Sequence, residues 1–201
     1  MQETAGGRTF VDRARSEEHS RSMNIPRSIQ KTTLLFIAAL TLTVTAHAEL
    51  EVDDLGLRYG VGSDDGDDFS SLELMAYLDP DWEWELSDSL VFEIAPEAAV
   101  GYLDGHGETA ALVHIGLAGF LEIDGFPLSL VVSTGPTFLT EDEFGNFDIG
   151  GNWQFTSGLG VDWEPVEDWT VGYRYQHISN AGIESTNPGL NLHTFGVAYD
   201  F

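Results

Sequence analysis

His177 and Ser179, an imidazole and a hydroxyl two positions apart, form a potential base–nucleophile pair. Side chains alternate across a β-strand, so two residues separated by one share a face. A neutral imidazole beside a hydroxyl can take its proton and turn a weak nucleophile into an effective one. On spacing alone the plainer reading is the stronger one. His-x-Ser is common by chance, and both side chains could simply sit in a polar layer. Cysteine is absent, which excludes disulfides, thiolate metal sites and a Cys nucleophile.

The elements that must carry this pair come from a strongly acidic chain. Its 201 residues include 34 Asp and Glu against 8 Lys and Arg, a formal charge of −26. Nucleic-acid binding needs a basic footprint and is argued against. Hydrophobic residues at 42% are too many for a disordered acidic tail. The 22 glycines and 11% aromatic content lean towards an all-β chain with many turns.

Processing signals come first. From Met23 a basic flank leads into an uncharged stretch from Thr32 to Ala46, followed by Ala46-His47-Ala48. That is the pattern of a secretory signal peptide over residues 23–48, cleaved after Ala48. The apolar run falls short of the roughly 20 residues of a spanning helix. Residues 1–22 fit no targeting segment and read as an upstream extension or a start assigned too early. The mature chain is then 49–201. It keeps two basic side chains, Arg58 and Arg174, against 30 acidic ones, a charge of −28. Self-repulsion of that size calls for screening by salt or divalent cations.

Within residues 49–201 the apolar residues recur with period two. Leu55, Leu57, Tyr59 and Val61 alternate with Gly56, Arg58 and Gly60, and Leu72, Leu74, Ala76 and Leu78 follow. Strand-length segments continue at about 82–103 (irregular near Ser87–Ser89), 109–122, 127–139, 149–163, 169–179 and 191–201. Eight segments, many near the ~10 residues of a tilted membrane strand, predict an antiparallel up-and-down transmembrane β-barrel. Short turns are expected at Asp79-Pro80-Asp81, Asp124-Gly125-Phe126 and Pro165–Asp168, and longer polar loops near 63–69, 104–108, 140–148 and 180–190. Trp82, Trp84, Trp163 and Trp169 flank the short turns as an interfacial girdle would. The alternating ending Phe195, Val197, Tyr199, Phe201 resembles the last strand of outer-membrane barrels. A secreted β-sandwich would explain the alternation but neither the girdle nor the terminal Phe.

In segment 169–179, Arg174 and Gln176 belong to the polar face, which should fill the lumen. His177 and Ser179 then lie on the lipid-facing wall, a poor place for unpaired polar groups. The longer motif alters the weighing. His177-Ile178-Ser179-Asn180-Ala181-Gly182-Ile183, then Asn187-Pro188-Gly189, then a last strand ending in Phe201, resembles the lipid A 3-O-deacylase family. The resemblance is good over about 150–201; the first half agrees mainly in strand and loop layout.

That resemblance implies an outer-membrane esterase acting on lipopolysaccharide, with Ser179 as nucleophile and His177 as base. Asn180 and backbone amides near Ala181-Gly182 would hold the oxyanion, with Asn187 assisting. Phe155 falls where the family carries an aromatic near the site, although plain packing explains it equally well. Its face also holds Ser157, which breaks the alternation. The chain departs from the family at one point: Asn191 stands where the family's pattern has a Glu that orients the His. An Asn carbonyl can still fix the tautomer without supplying charge. Glu184 is a rival orienter and reads as a solvated charge; His193 reads as an interfacial histidine.

The chemistry so implied needs no metal or organic cofactor. The partners expected are lipid A in the outer leaflet and the outer membrane, with no nucleic acid; a homodimer is left open. The acidic runs Asp64-Asp65-Gly66-Asp67-Asp68 and Glu141-Asp142-Glu143 read as solvated loops, and no metal site is assigned to them. Two competing readings are a catalytically inert structural or adhesive barrel and a narrow pore. Eight strands, however, leave an interior that side chains fill.

Overall fold

A computed structural model describes residues 51–63 and 68–201. The expected signal peptide, the residues before it and most of the first acidic loop lie outside the described residues. The described residues form β1 (Glu51–Gly62), β2 (Phe69–Asp79), β3 (Glu83–Ser87), β4 (Leu90–Gly105), β5 (Glu108–Ile123), β6 (Leu128–Leu139), β7 (Glu143–Phe144), β8 (Phe147–Asp148), β9 (Trp153–Val166), β10 (Trp169–Ser179) and β11 (Leu190–Asp200). Neighbours pair antiparallel in the order β2-β1-β11-β10-β9-β6-β5-β4, and a β2–β4 ladder closes the ring. The eight long strands therefore make the expected closed barrel, which leaves no open edge.

Two connections differ from the sequence reading. The chain between β2 and β4 does not reverse at Asp79-Pro80-Asp81. It kinks there and continues as β3, which pairs with β4 over Glu93 to Leu90 below the β2 ladder. Pro80 offers no N–H to a ladder, Asp81 has φ 57°, and Asp79 Oδ1 accepts from Asp81 N at 2.6 Å. The reversal falls instead at Asp88–Ser89, the irregular point of the long segment. At the other end, β4 and β5 are joined by His106 and Gly107 alone, with φ 51° and 84°. Two successive positive φ values match the twist of a tight hairpin, so the longer loop expected over 104–108 is a two-residue turn.

The lumen is filled in layers. At the long-loop end Phe69, Leu103, Leu112, Leu139, Ile178 and Leu192 are buried together. Phe144 and Ile149, from the loop that carries the β7–β8 hairpin, close over them. Below lies an ionic layer. Arg58 is buried and donates to Glu97 Oε1 at 2.7 Å and to Glu73 Oε2 at 2.8 Å. Arg174 donates to Asp162 Oδ2 at 2.7 Å. Both Arg58 and Arg174, the basic side chains of residues 49–201, are thus neutralised inside the barrel. The apolar plug at the long-loop end disfavours the pore, although the lumen below it holds a cavity of about 200 Å³ lined by Arg58, Tyr77, Glu93 and Arg174.

The outer wall is apolar. Leu57, Leu130, Leu159, Val171 and Phe195 are exposed, and Trp82, Trp84, Trp163 and Trp169 cluster towards the short-turn end. A wall of exposed Leu, Val and Phe bounded by tryptophans is what a lipid-embedded barrel presents.

Candidate active site

Strand register places the candidate residues. In β10, Ile178 and Gln176 are buried in the lumen, so His177 and Ser179 face out, as the alternation predicts. His177 pairs with Asn191 on β11 and with Ser157 on β9. Ser157 in turn pairs with Thr134 on β6. Ser179 pairs with Phe155. A polar row, Thr134–Ser157–His177–Asn191, therefore crosses four strands of an otherwise apolar wall. Ser179 and Phe155 lie one step towards the long-loop end.

Two hydroxyls flank His177, and the ring geometry distinguishes them. Nδ1 lies 2.8 Å from Asn191 Oδ1. A carbonyl oxygen only accepts, so Nδ1 carries the proton and Nε2 keeps its lone pair. A Cβ built on Gly189 would lie 2.8 Å from His177 Cε1 and 3.6 Å from Nε2. The ring thus lies over Gly189, turned towards the row that holds Ser179 and away from Ser157 on the opposite neighbour strand. Gly189 has φ 72°, so glycine is favoured there by backbone as well as by space. No hydrogen bond joins Ser179 Oγ to His177 among the described residues. Their Cα atoms are roughly 6.6 Å apart on strand geometry, and such contacts commonly tighten only with substrate bound.

The loop after Ser179 engages some of the oxyanion candidates and leaves others free. Asn180 is fully buried. Its Nδ2 donates to Gly150 O at 2.8 Å and Thr186 O at 2.7 Å, and its Oδ1 accepts from Gly182 N at 2.8 Å. The side-chain donors of Asn180 and the N–H of Gly182 are therefore already engaged. Asn180 clasps the 180–189 loop to the 149–151 turn instead of facing substrate, and Gly182, at φ 80°, shapes the turn. Asn187 is different. Its Oδ1 accepts from Asn180 N at 3.1 Å, which leaves the exposed Nδ2 without a hydrogen bond among the described residues. The Ala181 N–H is likewise free among them, and Ala181 sits at φ 54°, a conformation disfavoured for a residue with a Cβ.

The remaining candidates separate cleanly. Phe155 is 38% exposed beside Ser179 and forms an apolar shoulder of the site. Glu184 is exposed and does not contact His177, whose Nδ1 belongs to Asn191. His193 is engaged with Tyr173, Nδ1 to Oη at 2.8 Å. Among the described residues no group of three or more His, Cys, Asp or Glu is placed to hold a metal ion. Gly189 and Ser157 as neighbours of the imidazole, and Thr134 behind Ser157, are not evident from the sequence. Ser157 had left a trace, as the polar interruption of the β9 outer face.

The arrangement has a hydroxyl, an oriented imidazole and two free N–H donors on a lipid-facing wall, which suits acyl transfer from a lipid. Comparisons with known proteins agree. The family described as lipid A 3-O-deacylase (PagL) matches residues 70–200. Lipid A deacylase PagL of Bordetella bronchiseptica is 26% identical over 174 residues, 84% of this chain and 95% of that protein. The crystal structure of the outer membrane enzyme PagL superposes with a TM-score of 0.64 at 18% identity, over 74% of this chain and 99% of that one.

Proposed function

The chain belongs to the lipid A 3-O-deacylase (PagL) family, and from that premise we propose that it is an outer-membrane esterase that removes the 3-position acyl chain of lipid A, with Ser179 as nucleophile and His177 as general base. The observation that carries the reading is the His177–Asn191 bond of 2.8 Å on the outside of the barrel. It leaves the lone pair of Nε2 available on the Ser179 side.

The steps follow from that geometry. Lipid A approaches from the outer leaflet along the wall, so no passage through the lumen is needed. Nε2 takes the proton of Ser179 as Oγ attacks the ester carbonyl. The oxyanion meets the Ala181 N–H and Asn187 Nδ2, donors already held in place. The imidazolium then protonates the leaving 3-oxygen of the sugar, and deacylated lipid A departs. Water, deprotonated by the same nitrogen, hydrolyses the acyl-serine and frees the 3-hydroxy fatty acid. Asn191 keeps Nδ1 protonated throughout but adds no charge, so it orients the ring without the electrostatic help of a carboxylate. Phe155 packs along the first part of the acyl chain. All these groups come from one chain, so the reading requires no second copy.

The inert-barrel alternative draws its support from Asn191 standing where the family has a Glu, and the hydrogen bond between Asn191 Oδ1 and His177 Nδ1 favours the enzyme reading over it. Mass spectrometry of lipid A from cells expressing wild type, Ser179→Ala and His177→Asn tests the reading. Loss of one 3-hydroxyacyl chain with wild type alone is expected; identical lipid A in all three would overturn it.

A further inference from the structure

The catalytic reading uses His177 and Asn191 of the polar row but leaves Ser157 and Thr134 unexplained. Their side chains are exposed on the outer wall, and Thr134 Oγ1 lies 3.0 Å from Ser157 Oγ. Around them the wall is apolar: Val132 and Leu159 lie on one side and Phe155 on the other, all exposed. Isolated polar side chains facing lipid are rare and usually functional. One hydrogen bond between two hydroxyls consumes one proton and one lone pair, so the pair still offers a donor and acceptors to a third group.

We infer that Ser157, backed by Thr134, is a specificity subsite that reads the hydroxyl on the third carbon of the acyl chain being cleaved. The inference rests on Ser179 being the nucleophile. Ser179 pairs with Phe155 and Ser157 pairs with His177, so Ser157 is the diagonal neighbour of Ser179, about 7–8 Å away between Cα atoms. An acyl group on Ser179 places its third-carbon oxygen four bonds from Oγ, a span of about 5 Å with bonds near 1.5 Å. A hydroxyl–hydroxyl bond of about 2.8 Å covers the rest. A chain turned from Ser179 towards the short-turn end passes Ser157 first and then runs onto Leu159 and Val161. The hydroxyl of a 3-hydroxyacyl chain therefore meets the pair, while the methylenes beyond it meet apolar wall. An unhydroxylated chain would instead lay a methylene against two hydroxyls.

The test compares two synthetic 3-O-acyl glucosamine lipids, one carrying a 3-hydroxytetradecanoyl chain and the other a tetradecanoyl chain, with the refolded full barrel in detergent. Wild type should favour the hydroxylated chain about fivefold in kcat/KM, the worth of one neutral hydrogen bond. That ratio should fall to near one in Ser157→Ala and be retained in Ser157→Thr. A wild-type ratio near one, an unchanged ratio in Ser157→Ala, or a parallel fall on both lipids would overturn the subsite and leave the catalytic reading standing. Hydrolysis that survives in Ser179→Ala would remove the nucleophile assignment and the subsite together.

Discussion

Asn191 holds the candidate imidazole through a hydrogen bond whose contribution can be worked from the structure. Its Oδ1 accepts from His177 Nδ1 at 2.8 Å in an exposed position on the outer wall. A neutral hydrogen bond contributes about 0.5–1.5 kcal/mol net, and one to a charged group about 1.5–3 kcal/mol. In the proposed mechanism His177 becomes imidazolium during attack, so the bond strengthens as the transition state forms. Replacing Asn191 by Ala removes it, and a loss of about 1.5 kcal/mol corresponds to a roughly tenfold fall in kcat. Replacing it by Glu restores the family's residue and adds a charge opposite the imidazolium. A gain of about 1–1.5 kcal/mol, roughly five- to tenfold in kcat, is expected. Because the effect is on the transition state, KM should move little. The assay is initial-rate deacylation of purified lipid A by wild type, Asn191→Ala and Asn191→Glu under one detergent condition. Equal kcat in all three would refute the orienting role, and a slower Glu variant would refute the imidazolium argument.

Two further substitutions test parts of the same frame. Gly189→Ala places a Cβ 2.8 Å from His177 Cε1 at φ 72°; deacylation should fall at least tenfold while heat-modifiable migration of the folded barrel persists, and wild-type rates would contradict the ring placement. Arg58→Met leaves Glu73 and Glu97 buried without their shared cation; a loss of about 3–5 kcal/mol is expected in urea unfolding, and an unchanged midpoint would show that the ionic layer contributes little.

What was legible in the sequence is what depends on a single strand. Alternation in β10 and β11 is enough to put His177, Ser179 and Asn191 on one face and Arg174 and Gln176 on the other. The girdle and the terminal Phe are equally local. What was not legible depends on pairing between strands far apart in sequence. That Ser157 faces His177 is set by β9–β10 register, and that Thr134 faces Ser157 by β6–β9 register. The Asn180 clasp joins two loops 30 residues apart, so the family resemblance could imply a role at the oxyanion without showing that the side chain is held as a tether. The kink at Pro80 was read as a reversal because Asp-Pro-Asp is turn-like; that β3 continues alongside β4 is a tertiary outcome.

In the proposed mechanism the imidazole serves Ser179 and not Ser157 on the neighbouring strand. Treating the folded wild-type barrel with a lipophilic fluorophosphonate and mapping the adduct by peptide mass spectrometry tests it most directly. A single adduct on Ser179, lost in His177→Asn, is expected; an adduct on Ser157, or labelling of Ser179 that is indifferent to His177, would refute the pairing.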